Sequence, residues 1–131
     1  MLPLRYPWLW MVAGWVLVVG VIYGSVVPSD MLGGKLPFDD AVMHAASYGL
    51  LTIWFAGLYA RNRHGWVGAF AFLLGVVMEL VQSELSYRQF DPGDMVANAI
   101  GIGIGLIISA SFLAGWCQRL ELLLGFKHVG R

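Results

Sequence analysis

The stretch WLWMVAGWVLVVGVIYGSVV at residues 8–27 decides the fold class, because it contains no charged side chain. An α-helix needs about 20 consecutive apolar residues to cross a bilayer. Three further apolar stretches follow, at about residues 41–60, 66–85 and 95–116. None of them alternates with the period of two that a membrane β-barrel strand shows. The sequence therefore predicts an all-α, polytopic membrane protein with four transmembrane helices in a compact bundle.

The composition favours one transmembrane domain over residues 1–131. Hydrophobic residues make up 59% of the chain and charged residues 12%, which is too apolar for a soluble globular protein of this length. A net charge of zero without a basic block gives no support for a nucleic-acid partner. One cysteine, Cys117, excludes an internal disulfide, and neither a cofactor nor a resident metal is predicted.

The distribution of Lys and Arg predicts the orientation of the bundle. Basic residues are concentrated on the side that carries both termini and the middle loop, which favours the cytoplasm for that side. Those on that side are Arg5, Arg61, Arg63, Arg119, Lys127 and Arg131, against Lys35 and Arg88 on the other. Both termini are therefore expected to be cytoplasmic, and the loops of residues 28–40 and 83–94 to face outward.

The cytoplasmic boundary is expected to carry aromatic and interfacial residues. Trp8, Trp10, Trp66 and Trp116 lie near the corresponding ends of the four spans and predict an aromatic belt. Residues 117–131 mix leucines with charged side chains, which favours an interfacial tail. The first span is longer than an ordinary signal core and no Ala-x-Ala site follows it, so we expect it to be retained.

Acidic residues mark the opposite, outward end as the candidate site. Seven of the eight acids lie there, and the remaining one is Glu121. The seven are Asp30, Asp39, Asp40, Glu79, Glu84, Asp91 and Asp94. So many charges at one end of an apolar bundle predict a polar site on that face.

The second span carries a polar stripe. Asp40, His44, Ser47 and Tyr48 are separated by three or four residues or adjacent on the helix, so they share one face. Asp39 or Asp40 alone is explained as a helix cap. His44 lies one turn deeper, where it serves as a general acid or base, a metal ligand or a structural hydrogen-bond partner.

Glu79 lies within the otherwise apolar third span. An unpaired carboxylate there costs on the order of 3 kcal/mol, so Glu79 is expected to face the bundle, to be protonated or to meet a cation, and it needs a partner. The candidates are Arg88 in the next loop and His44 from the same end, and Gln82 lies one turn further out. The alternative is an interaction that only holds the helices together.

The fourth span begins with a polar turn and continues with small residues. Asp94 is a candidate cap, and Asn98 lies one turn below it. Gly101 and Gly105 continue the stripe, and such a small-residue seam lets another helix approach closely. Asn98 is therefore expected within reach of polar groups on the neighbouring helix.

Taken together, these motifs resemble the VanZ-like family over residues 24–105. They are Gly24-Ser25-Val26-Val27-Pro28, Asp40-x-x-x-His44-x-x-x-Tyr48, Glu79-x-x-Gln82 and Arg88-x-x-Asp91-x-x-Asp94-x-x-x-Asn98-x-x-Gly101-x-x-x-Gly105. The family pattern has Asp-Lys where this chain has Asp40-Ala41, so a role for that lysine does not transfer. The resemblance implies a small, multi-pass protein of the bacterial cytoplasmic membrane, and the founding member is linked to teicoplanin resistance.

Three functions remain open at this point. The first, which we favour, is a module that binds or shields a lipid head group or a lipid-linked envelope molecule, with Arg88 and His44 meeting anionic groups. The second is a membrane-surface enzyme in which Glu79 and His44 share acid and base work, in one variant around a metal ion. The third is a purely structural polar network.

The ligand-binding candidates are Asp40, His44, Tyr48, Glu79, Gln82, Arg88, Asp91, Asp94 and Asn98, and the catalytic candidates among them are Glu79 and His44. Membrane lipids are the expected partners, and a bundle of this size is also a candidate homodimer.

Overall fold

A computed structural model describes residues 1–28, 31 and 39–126, and this part of the chain is all-helical. The helices are α1 (Pro7–Val26), α2 (Asp40–Leu58), α3 (His64–Ser83), α4 (Pro92–Ser111) and α5 (Trp116–Leu123), with a 3-10 turn at Arg61–Arg63. By length and composition, the first four are long and apolar enough to cross a membrane. The predicted number of long apolar helices is confirmed.

Contacts between helix ends show that consecutive long helices run in opposite directions. The side-chain amide of Gln82 in α3 donates to the carbonyl of Ser25 in α1, so the carboxyl ends of these two helices lie together. At the opposite end, the backbone N–H of Leu2 donates to the carbonyl of Leu58. We call the end with the carboxyl ends of α1 and α3 and the amino ends of α2 and α4 the acidic end. The end with Arg61–Arg63 is the basic end.

Helices α2 and α4 form the closest pair, and glycine makes that approach possible. A β-carbon at Gly105 would lie 2.7 Å from the carbonyl oxygen of Gly49, and one at Gly49 would lie 3.1 Å from the carbonyl oxygen of Gly101. At Gly101 a β-carbon would overlap the backbone of Ala45. The predicted small-residue seam therefore lies against α2, where it brings the polar faces of both helices together.

Three tryptophans form a cluster at the basic end. The ring centroids of Trp10 and Trp54 lie 5.6 Å apart, and those of Trp10 and Trp116 and of Trp54 and Trp116 each lie 5.4 Å apart. Trp10 and Trp116, both expected in the aromatic belt, also pack against each other and against Trp54, because their indole rings have aromatic partners there. Trp8 and Trp66 are exposed.

The ends of α4 differ from the prediction. The helix begins at Pro92, and Asp91 caps it by accepting a hydrogen bond from the backbone N–H of Gly93 at 2.7 Å. The predicted cap at Asp94 is wrong. Proline is favoured at the first helical position, so the helix begins at Pro92 and the residue before it, Asp91, is the cap. The helix ends at Ser111 rather than near residue 116, and Gly115, at φ +65°, leads into α5.

Helix α5 joins the expected tail to the start of the chain. The buried carboxylate of Glu121 accepts hydrogen bonds from the backbone N–H groups of Arg5 at 2.7 Å and Tyr6 at 3.1 Å. It also accepts one from Nε1 of Trp10 at 2.9 Å. Residues 117–126 of the expected interfacial tail are thus attached to α1, and residues 127–131 lie outside the described part.

Candidate functional site

His44 joins α2 to α4 at the acidic end. Its Nδ1 lies 3.1 Å from Oδ1 of Asn98, and its Nε2 lies 3.4 Å from Oδ2 of Asp94. The two α4 residues are one turn apart, so they bracket the imidazole from one face of the helix. The His44 side chain is 13% exposed and that of Asp94 is 17% exposed, which leaves the pair partly open to the surface.

The bracketing limits what His44 can do chemically. Nδ1 faces the amide oxygen of Asn98, and Nε2 faces the carboxylate of Asp94. Both ring nitrogens are therefore directed at groups of the protein.

Glu79 lies behind this pair and is 1% exposed. Its Oε1 accepts a hydrogen bond of 2.7 Å from the backbone N–H of Asp91, the cap of α4. The amino end of a helix carries partial positive charge and unpaired N–H groups, both of which stabilise a carboxylate. Among the described residues, Oε2 of Glu79 has no hydrogen-bond partner.

The expectation that a cationic side chain holds Glu79 is wrong within the described residues. The ion pair formed there is that of His44 with Asp94, and neither His44 nor Arg88 bonds to Glu79. The physical reason is that an unpaired amide at a helix start satisfies a buried carboxylate without burying a second charge. No pattern of side chains in the sequence points to a backbone donor.

Tyr48 and Gly75 complete the inner part of the site. Tyr48 is 1% exposed, and its hydroxyl has no hydrogen-bond partner among the described residues. A β-carbon at Gly75 would lie 3.1 Å from Nδ2 of Asn98 and 3.4 Å from Cε1 of Tyr48. Gly75, one turn before Glu79, thus provides the space that both side chains occupy, although the sequence analysis did not select it.

Gln82 contributes to packing. Its Nε2 donates to the carbonyl of Ser25 at 2.9 Å, and the hydroxyl of Tyr87 donates to the carbonyl of Val26 at 2.5 Å. These bonds satisfy carbonyls in the last turn of α1 that have no partner within the helix. Gln82 was predicted as a ligand-binding residue, and its amide instead holds α1 to α3. Tyr87 was not predicted, because it lies in a turn without periodicity.

Exposed carboxylates surround the His44–Asp94 pair. Asp94 interacts electrostatically with Asp91, Glu79 and Asp40 as well as with His44, so these groups are neighbours. Asp40 and Asp91 are exposed, whereas Arg88 is half-buried and forms no ion pair with a described residue.

Charge at the described part of the acidic end is negative. The acids there are Asp39, Asp40, Glu79, Glu84, Asp91 and Asp94, against Arg88 and the titratable His44. Asp30 and Lys35 lie outside the described residues.

The described residues contain no group of three or more His, Cys, Asp or Glu side chains that could hold a metal ion. Glu79 and His44 also bond to different partners, so no proton passes directly between them in this arrangement. What the site offers chemically is a rim of partly exposed carboxylates above a buried polar network.

Comparison with known proteins gives one similarity. No family model and no solved structure matches the chain. The chain is similar to a protein of the fission yeast Schizosaccharomyces pombe, described as an uncharacterized protein, with 33% identity over 91 residues. The match covers 66% of this chain and 56% of the yeast protein, so the chain spans little more than half the length of that relative.

Proposed function

We propose that this protein is a polytopic membrane protein whose acidic end binds the amine-bearing head group of a zwitterionic lipid. The observation that carries the proposal is the rim of partly exposed carboxylates formed by Asp40, Asp91 and the His44-paired Asp94. Carboxylates at the end of an apolar bundle attract a cation, and the lipid–water interface is where lipid ammonium groups lie.

The charge of this end favours an ammonium over an anionic group as the main contact. His44, which we first expected to meet an anion, has both ring nitrogens directed at Asn98 and Asp94. At the acidic end, the side chain of Arg88 forms no ion pair with another described residue. We assign it the lipid phosphate, since guanidinium groups bind phosphate well.

The fission yeast relative supports a ligand that bacterial and fungal membranes have in common. Phosphatidylethanolamine is such a lipid, whereas a lipid-linked peptidoglycan precursor is a bacterial molecule that fission yeast does not make. We retain from the VanZ-like resemblance two further parts of the proposal, residence in a bacterial cytoplasmic membrane and an effect on teicoplanin susceptibility. The effect on teicoplanin susceptibility would be indirect, because binding of head groups would change the lipid composition of the membrane surface that the antibiotic contacts.

A binding role is better supported than an enzymatic one. An acid–base enzyme needs a side chain that exchanges a proton with its substrate. Both ring nitrogens of His44 face groups of the protein, and the Glu79 side chain is 1% exposed. Binding requires only the exposed carboxylates and a guanidinium.

The test is lipid retention by the purified protein in detergent, measured by native mass spectrometry with phosphatidylethanolamine or phosphatidylcholine of identical acyl chains. The primary ammonium of ethanolamine donates hydrogen bonds to carboxylates and the choline group does not. A hydrogen bond to a charged group is worth enough to give about a tenfold preference for phosphatidylethanolamine. Asp40→Asn should remove most of that preference.

Glu84→Gln provides the matched control. Glu84 is an exposed acid at the same end, but it is not among the groups that interact electrostatically with Asp94. This variant should keep the preference of the wild type. Equal retention of the two lipids by the wild type, or equal losses in Asp40→Asn and Glu84→Gln, would reject the proposed binding site.

A further inference from the structure

A cavity lies at the basic end, away from the rim of Asp40, Asp91 and Asp94. It has a volume of about 350 Å³ and lies between α1, the end of α2 and the start of α3. Its walls include Trp15, Phe55 and Phe70, and its mouth includes Tyr59 and Arg63. Cavities of this size are typical of small-ligand sites.

Three aromatic rings form an apolar wall of the cavity; Phe55 is buried, whereas Trp15 and Phe70 are 50% and 36% exposed. The ring centroids of Phe55 and Phe70 lie 5.6 Å apart, and Trp15 lies 6.3 Å from Phe55 and 6.1 Å from Phe70. Pairs at these distances and steep angles pack edge to face, which restricts the motion of the rings. The cavity is therefore a shaped apolar surface, suited to a hydrocarbon chain.

The mouth of the cavity has the opposite character. Arg63 is exposed, forms no ion pair with a described residue, and lies in the 3-10 turn immediately before α3. Phe70 lies seven residues later, which is about 10 Å along a helix. No acidic residue is among those that line the cavity. A positive charge at the interface thus lies above an apolar wall that extends into the bundle.

We propose that this cavity binds an anionic phospholipid, with its phosphate at Arg63 and one acyl chain along the wall of Trp15, Phe55 and Phe70. Basic pockets between transmembrane helices are known to bind anionic head groups. The exposed indole of Trp66 at the mouth, 73% exposed, suits the head-group region. This site shares with the proposed function only its setting in a membrane, and it is separate from the acidic end.

The experiment measures retention of phosphatidylglycerol against phosphatidylcholine with identical acyl chains, by native mass spectrometry of the full chain in detergent. One basic side chain near an anionic lipid is worth roughly a fivefold preference. Arg63→Gln should abolish that preference. Arg61→Gln is the matched control, because Arg61 is an exposed arginine of the same turn that does not line the cavity.

A second variant tests the apolar part of the site. Met11→Trp places a larger side chain in the cavity, so it should lower retention of phosphatidylglycerol while Arg63 is intact. Asp40→Asn, at the acidic end, should leave phosphatidylglycerol retention unchanged, which separates this site from the one proposed above.

Three outcomes would overturn the inference. They are a wild type without preference for phosphatidylglycerol, equal losses in Arg63→Gln and Arg61→Gln, and a lipid-free dimer that Met11→Trp dissociates. The last would show that a second copy of the chain occupies the cavity.

Discussion

The buried carboxylate of Glu79 in α3 and the backbone N–H of Asp91, which caps α4, are joined by a hydrogen bond of 2.7 Å. This bond fixes the carboxyl end of one helix to the amino end of the next. It also places the negative charge of Glu79 at the positive end of the α4 dipole, which lowers the cost of burying it.

Replacing Glu79 tests this bond. Glu79→Gln keeps a carbonyl oxygen that can accept from Asp91, whereas Glu79→Ala removes the acceptor of this part-buried hydrogen bond. We expect Glu79→Ala to lower the free energy of unfolding by about 1–3 kcal/mol and Glu79→Gln to lower it less. The measurement is a denaturation curve of the purified protein in detergent. Combining Glu79→Ala with Arg88→Ala should give additive losses, and clear non-additivity would restore Arg88 as the partner of Glu79.

The pair of His44 and Asp94 is expected to act as a unit. Because the two side chains interact directly at 3.4 Å, removing either one leaves the other without its partner, so His44→Ala and Asp94→Ala should be non-additive by roughly 0.5–3 kcal/mol in the same denaturation assay. The cycle of His44→Ala with Glu84→Ala is the control and should be additive. Additivity in both cycles would contradict the pairing.

Glycine at position 101 is expected to be required for the approach of α2 to α4. A β-carbon there overlaps the backbone of Ala45, which cannot move aside as a flexible side chain can. Gly101→Ala should therefore destabilise the bundle by about 1–3 kcal/mol. Gly103→Ala is the matched control on the same helix, because a β-carbon at Gly103 has nothing within 4 Å. Equal melting temperatures for the two variants would contradict this account of the helix pair.

Cys117 is expected to resist thiol reagents while the protein is folded. Burial, assisted by the nearby charge of Glu121, raises the pKa of the Cys117 thiol to about 12. With its pKa raised, the Cys117 thiol stays protonated throughout the pH range of the labelling experiment. The thiolate is the reactive form, so labelling is slow. Maleimide labelling between pH 7 and 9 should be slow in mild detergent and fast after denaturation. As a control, a cysteine introduced by Asn62→Cys, which is exposed, should label quickly without denaturation. Equally fast labelling of Cys117 in the folded protein would show that α5 is not packed as described.

The orientation of the bundle can be tested in intact cells. In a Cys117→Ala background, Gln89→Cys at the acidic end should react with an impermeant thiol reagent, and Asn62→Cys at the basic end should be protected. Both positions are exposed, so the difference reports the side of the membrane and not burial. The reverse pattern would place the acidic end in the cytoplasm and invert the orientation inferred from Lys and Arg.

The parts of this structure that depend on periodicity could be predicted from the sequence. Four long apolar helices, the stripe that includes His44 and the glycine seam at Gly101 and Gly105 all repeat with helical spacing. Asn98 was expected to meet a polar group across that seam, and its partner is His44.

The parts that depend on backbone groups could not be predicted. Oε1 of Glu79 accepts from a backbone amide and Nε2 of Gln82 donates to a backbone carbonyl, and neither backbone group can be read from the pattern of side chains. Gly75 leaves space for the side chains of Tyr48 and Asn98, and which side chains pack against it is decided only when the helices pack together.

Glu121 is synthesised long after the residues to which it is hydrogen-bonded. Ribosomes deliver the amino-terminal residues first, so Arg5, Tyr6 and Trp10 emerge 111–116 residues ahead of the carboxylate that they bind. Until α5 is made, the start of α1 lacks this acceptor, and a chain cut short after Ser111 never gains it. The contact that holds α5 against the start of α1 can therefore form only after α1–α4 have been synthesised.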